Sequence, residues 1–465
     1  MDMSYPQTGH VPAGKPLKRF RNKHRLRVLL VQGPVGTFFN HLQSALEGLG
    51  YDTWVVNLNA ADALFGKRYQ HFNFFGGLDK WEARLSVSLA RRDFDAVVVF
   101  GSERPAHRIA REVAERFAIP LLSLEEGYMR PGLVTAEWGG NNASSPLAGK
   151  APDESFVADE LPEARVFRSF GRMGTTAFCY FTVSTLFTFG RRREFFHRPL
   201  SLPREAFCWV RNGYRRFAWQ HRNFTIIQNL LEHHDNQFFL VPLQVAADSN
   251  MQEAAMGWNS LRLIRESLVS FAESAPANTR LVFKIHPLER GHQRYDEIIY
   301  PLAEQLGIRD RVCVIDVGSM GLLARHAAGM ITINSTSGLS ALYHGRPLLV
   351  LGKAVYASPE VATCAWGEPD FASFWKGGFV APKATRQRFL AWIRHEALLP
   401  GDFYSTAGKR VASVEVAKRL DERLSPLWRQ HHEPVSRPTD IIAGIDAPAL
   451  VASAKSCVTG STHVA

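Results

Sequence analysis

Cysteine is scarce in this chain and follows no pattern. Cys179, Cys208, Cys313, Cys364 and Cys457 are the only five in 465 residues, an odd number with no Cys-x-x-Cys spacing. That excludes a disulfide framework and a zinc ribbon and fits a reducing compartment. Long apolar runs are missing too. A membrane-crossing helix needs roughly 20 apolar residues; residues 173–190 carry no charge but are fewer and rich in threonine. The first glycine-containing loop is neither Gly-x-Gly-x-x-Gly nor a Walker loop ending Gly-Lys-Ser/Thr, so NAD and ATP binding lack support. No RRM or KH signature accompanies the basic residues, and nucleic acid is not an expected partner. No histidine–cysteine cluster calls for a metal, and none is expected. Residues 1–25 are polar and basic without the apolar core of a signal peptide, and read as a flexible basic arm.

What is present describes a globular protein. Apolar content of 46% and charged content of 21% are ordinary for folded domains. The net charge of +11 favours anionic partners such as phosphorylated substrates or an acidic membrane leaflet. Short apolar runs alternate with helical stretches: RVLLVQ, TWVVNL, DAVVVF and PLLSL, then QFFLVPL, RLVFKI, RVCVI, GMITI and PLLVL. This alternation predicts an α/β fold of two Rossmann-like units facing a central cleft. The expected divisions are a front unit over 26–170, a connecting segment over 171–235, a back unit over 236–430 and a disordered tail over 431–465.

The connecting segment mixes arginine with aromatics, from Arg191-Arg192-Arg193 through FFHRP to FCWVRNGYRRFAWQHR. Such a strip suits a membrane interface. It suits equally a buried helix followed by a cationic helix packed on the protein surface. Both readings stand at this point.

Four constellations sit at strand exits, where parallel sheets bind ligands. Gly33 and Gly36 follow the first strand and either let backbone approach a ligand closely or form only a tight βα turn. After DAVVVF, Pro105 starts a helix that either aims Arg104, His107 and Arg108 at the cleft or is simply capped, with its charges exposed. After PLLSL come Glu125, Glu126, Gly127 and, three residues on, Arg130. Adjacent residues on an extended chain face opposite ways, so one carboxylate can enter the cleft as a general base. In the back half, Lys284, His286 and Pro287 end one strand, and Ser335, Thr336, Ser337 and Gly338 form a hydroxyl-rich turn opening a helix. Together these suit a phosphate, with Gln244 and Asp248 as sugar or ribose partners from a neighbouring exit. A phosphorylated small molecule, a nucleotide above all, is the implied ligand.

Taken in order, QGPVGTFF, FGSERPAHR, EEGYMRPG, Glu137-x-Gly139-Gly140-Asn141, LQVAADS, KIHP and NSTSGLSALYHGRP resemble the capsule polysaccharide biosynthesis and export family, KpsS/LipB branch. The resemblance implies a GT-B-like glycosyltransferase, inverting and metal-independent, with no cofactor beyond CMP-Kdo as donor substrate. It would transfer β-Kdo to a lysophosphatidylglycerol-type lipid at the cytoplasmic membrane face, as a peripheral cytoplasmic protein in contact with a capsule export complex. By the same resemblance Glu126, or Glu125 beside it, is the catalytic base, and His286 with the Ser335–Ser337 turn holds the CMP phosphate. A non-catalytic sugar-phosphate scaffold, or a transferase using another CMP- or UDP-sugar, remains the alternative.

Overall fold

The computed structural model describes residues 25–66, 70–157, 165–166, 170–196, 202–245 and 253–432. The expected arm and tail lie almost wholly outside these residues.

The front unit begins with β1 (Arg27–Val31), α1 (Phe38–Gly48), β2 (Asp52–Asn57), α2 (Ala60–Phe65), β3 (His71–Asn73), α3 (Leu78–Ala90), β4 (Ala96–Phe100), α4 (Pro105–Arg116), β5 (Leu121–Glu126) and β6 (Leu133–Trp138). Strands covered on both faces read as unbroken apolar runs, and all five residues of β4 are buried. Pro105 starts α4, where its missing N–H costs nothing. Asn59 and Asp62 close a capping box on α2. One departure from an all-parallel sheet lies at β6, which pairs antiparallel with β5 in the register Glu125↔Thr135 and Glu126↔Val134. The reason is length. Only residues 127–132 join the two strands, and a parallel crossover needs about a dozen.

Three helices connect the units: α5 (Phe170–Phe187), α6 (Leu202–Ala218) and α7 (Gln220–His233). The back unit follows as β7 (Phe238–Pro242), α8 (Ser260–Ser274), β8 (Arg280–Lys284), α9 (Asp296–Gln305), β9 (Val312–Ile315), α10 (Met320–His326), β10 (Gly329–Thr332), α11 (Gly338–His344), β11 (Leu348–Val350), β12 (Thr363–Cys364), α12 (Phe371–Trp375) and α13 (Lys383–Ala397). Its six strands are all parallel.

The chain then returns. β13 (Leu398–Pro400) pairs antiparallel with β6 and extends the front sheet. α14 (Thr406–His432) packs its Ala412, Val416 and Leu420 against Phe38, Leu42 and Leu46 of α1. The stretch expected to close the back unit therefore completes the front one, a pairing for which the local sequence carries no signal.

The basic connecting segment is also settled in part. α6 and α7 lie against the back unit around a buried ion pair, Arg290 Nε to Asp316 Oδ2 at 2.5 Å. Asn212 of α6 accepts from Arg290 Nη1 at 3.2 Å, and Asn223 of α7 donates to Asp316 Oδ1 at 2.5 Å. Arg215 donates to the carbonyls of Arg290 and Gln293 at 2.7 and 3.1 Å. The cationic helix thus fastens itself by its polar side to the loop that follows β8. Removing one partner of a buried ion pair leaves the other charge without compensation. Asp316→Ala is expected to lower the unfolding free energy by about 3–5 kcal/mol in urea titrations.

Candidate active site

Each sheet has the strand order of a doubly wound nucleotide-binding fold: β3-β2-β1-β4-β5-β6 in front and β9-β8-β7-β10-β11-β12 behind. Ligands gather where such an order reverses, at the exits of β1 and β4 and of β7 and β10.

In the front unit that point is partly covered. Gly33 and Gly36 line a cavity of about 30 Å³ that Tyr180 of α5 helps enclose. A Cβ on Gly36 would stand 3.4 Å from Thr176, also on α5. The glycines expected to meet a ligand thus lie beneath a helix. His107 departs further from expectation. Its ring is buried on α4 with Nδ1 2.9 Å from the Gly101 carbonyl, and burial, then Arg104, press its pKa down to about 3. It is a neutral core histidine, not a cleft group. Arg104 stays partly exposed, its guanidinium 5.1 Å over the Phe100 ring.

The acid pair occupies the last two positions of β5, and both glutamates keep partial solvent access. Glu126 is held at both oxygens: Arg130 pairs with Oε2, and the Tyr404 hydroxyl donates to Oε1 at 2.9 Å. Burial first, and then Glu126, raise the Tyr404 pKa well above its usual value, so Tyr404 remains a donor. Arg130 also donates through Nε to the Gly127 carbonyl at 3.1 Å.

In the back unit, Gln244 and Asn334 meet at the switch point. Gln244 Nε2 donates to Asn334 Oδ1 at 2.8 Å, and the Asn334 N–H donates to Gln244 Oε1 at 3.1 Å. Gln244 is therefore a buried brace for the turn and not an open sugar contact. Asp248 lies outside the described residues. Ser335, Thr336 and Ser337 remain partly exposed, with the Ser337 hydroxyl donating to that of Ser335 at 2.9 Å. Gly338 must be glycine, since a Cβ there would come within 2.6 Å of the Tyr356 ring. His286 and Pro287 are exposed. The Leu288 N–H donates to His286 Nδ1 at 3.2 Å, which puts the proton of the neutral ring on Nε2. Lys284, expected beside His286 in the site, is buried; burial lowers its pKa, opposed by Asp316 and assisted by Arg290.

The acid hairpin and the hydroxyl-rich turn meet at a buried seam. Tyr128, two residues after Glu126, shares a core with Leu339, Val355 and Tyr356. Asn142 adopts a left-handed φ of 50°, donates to the Asn334 carbonyl and accepts from Val355 N, each at 3.4 Å. Glu137 of β6 anchors this seam. Tyr128 donates to its Oε2 and Ser145 to its Oε1, both at 2.5 Å. Burial lifts Glu137 to about 7 against the pull of those two donors. Asn141 joins the same layer, accepting at Oδ1 from the Ser102 hydroxyl at 2.6 Å. The Asp93-Phe94-Asp95 sequence lies at the opposite end of β4, where Asp95 accepts from the Arg27 N–H at 2.9 Å.

Residues 95–404 match the family model described as capsule polysaccharide biosynthesis protein. The chain belongs to that family. Among its relatives is the capsule polysaccharide export protein KpsS of Escherichia coli, 33% identical over 71% of this chain and 85% of that protein. Another is the capsule polysaccharide modification protein LipB of Neisseria meningitidis serogroup B, 31% identical over 81% of this chain and 91% of that one. Among solved structures, the β-Kdo 2,7 transferase KpsC of Thermosulfurimonas dismutans aligns with 85% of this chain and 99% of its own, at 12% identity and a TM-score of 0.39.

Sequence reasoning named Glu137 and Asn141 only as motif letters and passed over Tyr128, Asn142 and Tyr404. The first four lie within 17 residues of the acid pair, so their neighbourhood was visible. Tyr404 arrives from 278 residues away and had no signal.

Glu137 makes stability depend on pH. Unfolded, it loses its proton near its ordinary 4.5; folded, it keeps it to about 7. Between those values the folded state binds more protons, so stability is full below 4.5 and falls as pH rises through 7. From acid to about pH 8 the wild type is expected to lose about 3 kcal/mol more than Glu137→Gln, measured by chemical unfolding across pH.

Proposed function

We propose that the protein is a glycosyltransferase of capsule biosynthesis that moves Kdo from CMP-Kdo to a lysophosphatidylglycerol-type acceptor at the cytoplasmic membrane face. The observation that carries this reading is the seam at which Asn142 joins the acid hairpin of one unit to the Asn334 turn of the other. An acid–base group and an anion cradle on facing sheet edges are what sugar transfer from a nucleotide requires. His286, through Nε2–H, and the Ser335–Ser337 hydroxyls hold the CMP phosphate and stabilise it as it departs. Glu126 takes the proton of the acceptor hydroxyl, with Tyr404 fixing the carboxylate. Arg130 sits exposed on the second oxygen and exchanges Glu126 for an anionic group of the substrate as it binds. The similarity spans 85% and 91% of the lengths of the export protein and the modification protein named above, which supports carrying the capsule context to this chain.

The test is product analysis by mass spectrometry with purified protein, a Kdo-activating system and a lysophospholipid. Glu126→Gln is expected to cut turnover by about 10²–10⁴-fold. His286→Ala is expected to weaken CMP binding in calorimetry and slow transfer by about 10²-fold. Tyr404→Phe removes one orienting hydrogen bond and is expected to slow turnover about tenfold with little change in KM. The anomeric configuration of the product assigns the role of Glu126: inversion supports a base, whereas retention makes one of the two glutamates a nucleophile. CMP binding without transfer, and capsule production that survives Glu126→Gln in cells, would assign a sugar-phosphate scaffold instead. Binding of UDP in preference to CMP would assign a different donor.

A further inference from the structure

Helices on a globular protein bury an apolar stripe and leave a polar one to water. α5 and α6 do the reverse. On α6 the side turned inward is polar: Asn212 donates to the Pro287 carbonyl at 2.9 Å, Arg211 donates through Nε to that of Gly291 at 2.6 Å, and Arg215 holds the carbonyls already described. The opposite stripe is Phe207, Val210, Tyr214 and Phe217, which recur at i, i+3, i+7 and i+10 and are 63, 72, 71 and 75% exposed. On α5 the inward residues are again polar. Tyr180 donates to Asp62 Oδ1 at 2.6 Å, and Ser184 to Asn59 Oδ1 at 3.4 Å. Outward, Phe178 and Phe181 are 71 and 46% exposed. Thr182 and Thr185 turn their hydroxyls back to the carbonyls of Phe178 and Phe181, at 2.8 and 2.7 Å, and so present chiefly methyl groups to the surroundings.

We propose that the outward faces of α5 and α6 dock on an anionic lipid bilayer, lying in its interface without crossing it. An exposed apolar stripe of this kind on each helix marks a contact surface, and charge selects the partner. Residues 171–222 hold ten arginines against two glutamates, with no lysine or aspartate. Arg204 and Arg216 are exposed on α6 itself. A second copy laid on this face would set like charges against each other. An acidic leaflet offers both complements at once, headgroup phosphates for guanidinium groups and the acyl boundary for the rings. Crossing is ruled out for α6 because its inner side is hydrogen-bonded to the protein, and no helix among the described residues is long and apolar enough to span a membrane. Of the two readings of this segment left open by its sequence, each describes one side of the same helix.

The surface goes beyond sugar transfer, and the two readings fail separately. Transfer to a soluble short-chain acceptor measures the site alone, whereas flotation measures the surface alone. Full-length protein is floated with vesicles of phosphatidylglycerol and phosphatidylethanolamine, and in parallel with vesicles of phosphatidylcholine. The wild type is expected to rise with the anionic vesicles about tenfold more than with the neutral ones, less so in high salt. Combined Phe207→Asn, Val210→Asn, Tyr214→Ser and Phe217→Asn should cut the floated fraction about tenfold while keeping a cooperative thermal melt. If that variant does not fold, quenching of native tryptophan fluorescence by brominated acyl chains decides, and strong quenching is expected. The proposal is overturned if the wild type stays unfloated and unquenched, or if the folded variant floats equally well. A concentration-dependent dimer that the variant abolishes, without flotation, also overturns it and gives the face to a second copy.

Discussion

The relation between the two units depends on a carboxylate that water does not reach. Glu137 would be costly where it lies if its oxygens were unpaired, since an unsatisfied buried acceptor forfeits its hydration for nothing. Tyr128 and Ser145 satisfy both oxygens, one from the turn before β6 and the other from the segment after it. Tyr128 also accepts the Asn142 N–H, which fixes the residue that reaches across to Asn334. One buried group thus holds the acid hairpin in shape and sets the distance from that hairpin to the hydroxyl-rich turn. Loss of the Glu137 proton as pH rises through about 7 would loosen no single bond so much as the whole arrangement, because the members of such a network support one another.

The connecting helices carry a second constraint. The arginines of α6 are not merely a positive patch, for two of them hold the backbone of the loop that begins at His286-Pro287. The loop has no regular structure of its own, and its carbonyls would otherwise depend on water. The same helix that turns aromatics outward therefore positions the loop that carries His286. α5 is arranged similarly, with Tyr180 pinned among Asp62, Asn59 and Gln32 above the first strand exit. Both helices are thus tied to a sheet edge by direct side-chain hydrogen bonds.

Much of this was legible in the sequence because it is local. Unbroken apolar runs announced the parallel strands, and the residues at their exits marked the sites. The hairpin Glu125–Arg130 could be placed at a strand end from its neighbours alone. What was hidden is long-range. His107 looks like a cleft residue on its helix, yet the helix turns it into the core beside Gly101. Gln244 looks like a sugar ligand until Asn334, 90 residues later, occupies both ends of its amide. The return of β13 to β6 is likewise a matter of pairing across the chain, which no periodicity within three residues can reveal. The apolar side of α6 was visible as composition, but its outward direction follows only from where the arginines are bound.

That return has a consequence for Glu126. Tyr404 lies just beyond β13, so the group that orients the acid comes from chain that has already built the back unit and crossed forward again. The units are consequently joined by two crossings, the helices α5–α7 and the passage from α13 to β13, and by the Asn142 contact between them. In the proposed reaction the acid can be freed by a local exchange at its own side chain. Arg130 suits such an exchange: it is the exposed partner of Glu126, whereas Tyr404 is partly buried. An incoming anion can draw the guanidinium away and release one carboxylate oxygen while Tyr404 keeps the other aligned. The acid would thus be freed only when a charged substrate is present, which ties its reactivity to occupancy of the site.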